Sequence, residues 1–261
     1  MRHRLLALAT ALAVLPSAAA AQEQEERVPT RVRVGLGPQI GPAFPGSDDA
    51  RLRPLISLSR AKGDEPFGYG APGDGPAFPL IRSERLSLGP AFRIEGKREI
   101  DDAGGGLTPI GRTVEVGAFM AAWPTTWLRL RGDVRKGLGG HKGWVGTVGA
   151  DYVARDADRW LFSIGPRATL ADAKRERAYF GVDAPSAART GLPVYDPDGG
   201  IESVGVTSAL SYALTPRWGV QGQVQYARLS GDAGDSPVVR RIDSRNQLAV
   251  GAAVTYTFFV R

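Results

Sequence analysis

The sequence predicts an all-β fold, a transmembrane antiparallel up-and-down β-barrel, from three features: alternation, segment length and the order of the connections. In residues 201–214, Val204, Val206, Leu210, Tyr212 and Leu214 share one parity, and Ser203, Gly205, Thr207, Ala209, Ser211 and Ala213 hold the other. Residues 217–228 repeat the pattern, with Trp218, Val220, Val224 and Tyr226 against Arg217, Gly219, Gln221, Gln223 and Gln225. The last segment sets Leu248, Val250, Ala252, Val254, Tyr256 and Phe258 against Gln247, Ala249, Gly251, Ala253, Thr255 and Thr257. Side chains on a strand point alternately to opposite faces, so such runs have one apolar and one wet side. Soluble strands average about five or six residues, whereas a tilted strand crossing a bilayer needs about nine to eleven. The polar face, rich in Gly, Ala, Ser, Thr and Gln, lacks the bulk for a second packed core, which fits lipid outside and a narrow polar lumen inside.

The N-terminus reads differently. Arg2, His3 and Arg4 precede an apolar run from Leu5 to Leu15, and Pro16 leads into Ser17-Ala18-Ala19-Ala20-Ala21. This is the pattern of a signal peptide over residues 1–21, cut before Gln22. The run falls well under the ~20 residues of a membrane-spanning helix. Residues 22–30, with Glu23, Glu25 and Glu26, read as a flexible periplasmic leader, and residues 31–261 as the barrel. The chain has no cysteine, so an exported protein of this kind has neither a disulfide framework nor a thiolate site. The net charge of +6 includes signal-peptide arginines, and no basic stripe interleaved with aromatics appears, which argues against a nucleic-acid partner.

In chain order, RVRVGLG (31–37) opens the first strand, and PQIGPAFPGSDD (38–49) is a turn-rich loop. Residues 52–59 form the second strand, whose Pro54 forfeits a ladder bond unless it sits at a bulge or a strand end. Two short strands are expected at 67–70 and 77–81, around the turn Pro72-Gly73-Asp74-Gly75. From Arg85 the alternation is strong: Leu86, Leu88, Phe92 and Ile94 lead to a Gly-rich loop, and Val114, Val116, Ala118 and Met120 return. Pro124-Thr125 turns the chain into Leu128, Leu130 and Val134; Val148, Ala150 and Tyr152 come back; Trp160, Phe162, Ile164 and Leu170 lead to the longest connection, 171–200. Long and short connections alternate, as in barrels with short periplasmic turns and long outer loops. The count is about twelve strands, or ten if 67–81 is only a loop, with both termini periplasmic. Trp123, Trp127, Tyr152, Trp160, Tyr212, Trp218, Tyr256 and Phe258 gather at the short-turn ends, as an aromatic interface belt does.

Several local strings resemble the MltA-interacting protein family, also called MipA/OmpV, of Gram-negative outer membranes. They are GPAFPGSDD (41–49), GGHKG (139–143), AYFGV (178–182) with SAARTGLPVY (186–195), and LSGDAGDSPV (229–238). Phe44 stands where the family usually has Tyr. The resemblance implies a cell outer-membrane barrel. For some members it implies a scaffold that brings a lytic murein transglycosylase together with a peptidoglycan synthase, and for others channel, adhesion or stress-related roles. It supplies no catalytic residues.

The residues themselves carry little chemistry. His141, the one histidine beyond the leader, lies among glycines in GLGGHKGW. It brings neither a nucleophile to activate nor companion metal ligands. The glycine clusters lack the strand, helix and lysine context of a phosphate loop, so no cofactor is implied. The interior parity is richer. It places Arg85, Arg93, Arg129, Arg131, Arg135, Arg167 and Arg217 inward, together with Glu95, Glu115, Asp133 and Asp151. Two readings stand: a pore wall biased toward small anionic solutes, or a salt-bridged filling that stiffens a narrow barrel. In the longest loop Tyr179, Phe180 and Tyr195 form either an interaction surface or an inward-folded lid.

Overall fold

The computed structural model describes residues 29–75, 79–103 and 105–260. The strands are β1 (Thr30–Pro42), β2 (Ala50–Lys62), β3 (Ile81–Arg82), β4 (Leu86–Glu95), β5 (Thr113–Ala122), β6 (Leu128–Gly139), β7 (Trp144–Asp156) and β8 (Trp160–Asp172). After two helices, α1 (Ala173–Phe180) and α2 (Ala184–Thr190), come β9 (Gly199–Ala213) and β10 (Trp218–Leu229). Two single-turn helices, α3 (Gly231–Asp235) and α4 (Pro237–Arg241), precede β11 (Asn246–Val260). The signal peptide expected over 1–21 and most of the leader lie outside the described residues.

All eleven strands form one curled antiparallel sheet in the order β2-β1-β11-β10-β9-β8-β7-β6-β5-β4-β3. The first and last long strands pair in register, from Thr30 with Val260 to Ile40 with Val250. Ten strands have ten residues or more, and β3 has two. The described residues thus give eleven strands, between the expected count of about twelve and its alternative of ten. Residues 67–70 are not a strand, because they run inside the curl, where no ladder partner lies beside them; of the strand expected at 77–81, residues 77 and 78 lie outside the described residues and Ile81 joins the sheet. Pro54 is tolerated because β2 is an edge strand, so one of its sides needs no ladder donors.

The alternation appears as two faces. Leu36, Leu58, Val134, Val148, Leu210, Val224, Val250 and Val254 point outward and are exposed. Such a continuous apolar belt is untenable in water and is what lipid covers. No helix among the described residues is long and apolar enough to cross a membrane. At the short-turn end, Trp218, Tyr256 and Phe258 stack edge to face, with centroids 4.7 and 4.8 Å apart. Inward glycines let the wall bend: a Cβ on Gly117 would meet Val134 O at 1.9 Å, and one on Gly165 would meet Ala150 O at 1.9 Å.

The long connections pack into a lid. Its core takes Phe44 from the β1–β2 loop, Leu107 and Ile110 from the β4–β5 loop, Tyr179, Phe180, Val182 and Leu192 from the β8–β9 connection, and Ala233, Val238 and Val239 from the β10–β11 connection. The helices here start on local caps. Asp172 accepts from Arg175 N at 2.9 Å, Asp183 from Ser186 N at 2.8 Å and Ser236 from Val238 N at 3.2 Å. Arg98, buried, donates to Tyr179 O (2.7 Å) and Ala178 O (3.1 Å), the last carbonyls of α1, and so ties the β4–β5 loop to that helix.

Candidate functional site

Most of the charged interior groups lie on one side of the curl, β4 to β8, and form two linked clusters. Nearer the short turns, Arg129 and Asp151 are register partners on β6 and β7, 3.1 Å apart. Asp151 also takes Arg167 at 2.6 Å. Arg129 reaches in addition to Asp74 at 2.8 Å, and Arg131 donates to Asp74 O at 3.3 Å. Asp74 belongs to the segment after β2, which returns into the interior. That segment is pinned along its length: Arg93 donates to Gly73 O, Arg155 to Phe67 O, and Asp158 accepts from Phe67 N at 2.9 Å. Arg33 stacks over the Phe67 ring, 4.0 Å from its centroid.

Nearer the lid, Glu115 accepts from Arg135 and Arg175, both at 2.9 Å, and from His141 Nε2 at 3.0 Å. Arg175 also grips Glu202 on β9 at 2.6 and 3.1 Å. Arg175 comes from α1, so this guanidinium bolts the lid to β5 and β9. Asp133 joins the two clusters, between Arg131 (3.8 Å) and Arg135. His141 Nδ1 accepts from Gly143 N–H at 3.0 Å, which leaves Nε2 to carry the proton given to Glu115. Gly137 leaves room for that ring, since a Cβ there would lie 2.3 Å from it.

Across the interior, β9, β10, β11, β1 and β2 present uncharged groups over most of their inner face. Ser57 Oγ meets Gln221 Oε1 at 3.2 Å, and Gln223 Nε2 meets Gln39 Oε1 at 3.4 Å. The Thr207 hydroxyl is buried without a hydrogen-bond partner, and the Tyr69 hydroxyl faces that of Ser163.

Of the residues that the alternation placed inward, Arg93, Glu95, Glu115, Arg129, Arg131, Asp133, Arg135, Asp151 and Arg167 line this interior. Arg93 and Glu95 face each other at 3.8 Å. Arg85 and Arg217 do not join them. Both are exposed in short turns, where the strand parity no longer holds. Of the two readings of the loop residues, the structure has the inward-folded lid. Tyr179 and Phe180 are 1% and 0% exposed at the centre of the lid, and Tyr195 is half-buried with its hydroxyl on Asp232 O, 2.9 Å away. Their side chains pack within the lid because the connection folds inward. Sequence reasoning passed over Asp74, Arg175 and Glu202. Asp74 sits in a turn-like string and Arg175 in a helix, where period two has no meaning.

A curled antiparallel sheet with an apolar outer belt, a charged interior and loops packed at one end defines an outer-membrane β-barrel protein. Residues 34–258 match the model of the family described as MltA-interacting protein MipA, and the chain belongs to that family. No curated protein matches the chain. Among solved structures, an outer membrane channel from Pseudomonas putida F1 is similar at 11% identity, covering 88% of this chain and 96% of that one, with a TM-score of 0.42. Pseudomonas putida OprB gives 10%, 88%, 94% and 0.41. The outer membrane phospholipase of Salmonella typhi gives 12%, 88%, 90% and 0.29. At such overlaps these likenesses carry nothing about activity or solute.

Proposed function

We propose that this protein is a non-catalytic outer-membrane platform that works through its surfaces, bringing together peptidoglycan-remodelling enzymes: a lytic murein transglycosylase, with a peptidoglycan synthase as the second partner. The short-turn end, with both chain termini, faces the periplasm in this reading. The observation that carries it is the family match over residues 34–258. Support against the other reading, a small-solute channel with a basic lumen, comes from the interior. Arg129, Arg131, Arg135 and Arg167 each have a carboxylate partner, and the Asp74 segment and the lid occupy the two ends. Both ring nitrogens of His141 are engaged, which speaks for a structural role.

The test has two arms. Tagged full-length protein, solubilised from envelopes, should retain a lytic transglycosylase through washing, and the same preparation in planar bilayers should stay silent. Steady conductance that falls when Arg129 and Arg131 are neutralised, with no enzyme retained, would replace the platform with the channel.

A further inference from the structure

Glu176 is 0% exposed and no side chain donates to its carboxyl group; a backbone N–H, that of Ala233, faces it. It sits on α1, one residue from the Arg175 bolt. The charged and titratable groups around it are Arg175 on its own helix, Glu202 on β9, Asp232 on α3 and Tyr195 in the β8–β9 connection. Asp172, at the end of β8, is occupied as the cap of α1. Arg175 is no partner for Glu176, because it is committed to Glu202 and Glu115. A buried carboxylate without a side-chain partner is costly. Burial, then Glu202 and Asp232, push the Glu176 carboxyl up to about 7, with Arg175 and the Ala233 N–H offsetting part of this.

Asp243, in the β10–β11 connection, is half-buried where that connection meets the β1–β2 and β4–β5 loops. Burial first, then Asp48, push its carboxyl up to about 7; Asp49 adds to this, while the Asp48 N–H and Arg98 oppose it. These neighbours come from the β1–β2 and β4–β5 loops, so each acidic group sits where separate loops meet.

We propose that the lid is a proton-controlled closure: Glu176 and Asp243 stay neutral while the long loops are packed over the interior, and their ionisation loosens the loops and withdraws Arg175 from the wall. Both carboxyls hold a proton more tightly in the packed lid than in a loosened one. Closure is therefore fully favoured below their ordinary range of about 4 and weakens as pH rises, the loss being complete above about 7.

The chain has no cysteine, so one engineered thiol reports cleanly. Ala233→Cys places it in the lid core, where Ala233 is 0% exposed. Ala188→Cys, on the exposed side of α2, is the reference that removes the common pH dependence of thiolate reactivity. With full-length protein in detergent micelles and a charged methanethiosulfonate, the ratio of the two labelling rates should rise at least tenfold from pH 5 to pH 8. In Glu176→Gln/Asp243→Asn it should stay flat. A flat ratio in the parent overturns the proposal whether or not the double variant folds. A rise that survives in Glu176→Gln, Asp243→Asn and the double variant alike overturns the assignment to these two groups.

Discussion

The two ends of the interior are closed by different physics. The lid is an ordinary apolar core, with Phe180, Leu107 and Val238 at its centre, assembled from four connections and bolted by Arg175. The segment after β2 has no such core. It is held by Asp74 between Arg129 and Arg131, by guanidinium-to-carbonyl bonds at Gly73 and Phe67, and by Arg33 over one ring. The difference teaches where each closure fails. The lid yields to loss of packing or to a buried charge, and the inner segment to loss of one ionic partner. A similar contrast separates the two interior walls, one cross-linked by arginines and the other lined mainly by amides and hydroxyls.

The strongest way to break this comparison is at Arg129. Arg129→Met leaves Asp151 and Asp74 without their shared cation, and removing one member of a buried ionic group costs about 3–5 kcal/mol. The urea midpoint of the barrel refolded in lipid vesicles should fall accordingly, and residues 63–75 should become cleavable by protease. A change below 1 kcal/mol would mean that the segment is held elsewhere.

Phe180→Ala should cost about 3 kcal/mol, the usual loss for a fully buried ring, but inside the lid. Limited trypsin digestion should cut the β8–β9 connection, which carries Arg175, Arg177 and Arg189, while the heat-modifiable gel shift of the barrel stays as in the parent. Loss of that shift would show that lid and wall are one cooperative unit.

The smallest effect sharpens the contrast between walls. Gln223→Ala removes a long amide contact of 3.4 Å to Gln39 from a half-buried site, so the vesicle-refolding midpoint should move by less than about 1 kcal/mol. A loss as large as that from Arg129→Met would show the uncharged wall to be equally rigid.

Much of the wall was legible in the sequence. Val206, Val224 and Val250 declare an outer face and Thr207, Gln223 and Gly251 an inner one, because strand periodicity is a local property. The same parity found nine of the interior charges. It failed at Arg85 and Arg217, where the chain has left the strand for a turn, and at Phe67–Gly70, where short alternation stands inside the curl without a partner strand.

The sequence by itself determined that long two-faced strands would build a curled sheet with lipid on one side, since each strand carries that instruction within ten to fifteen residues. Tertiary structure alone decided which charges meet and what closes the ends. Arg129 finds Asp74 across 55 residues and Arg175 finds Glu115 across 60. Such pairings depend on how loops return over the finished curl, which no local period encodes, and they turn a row of inward arginines into a filled interior.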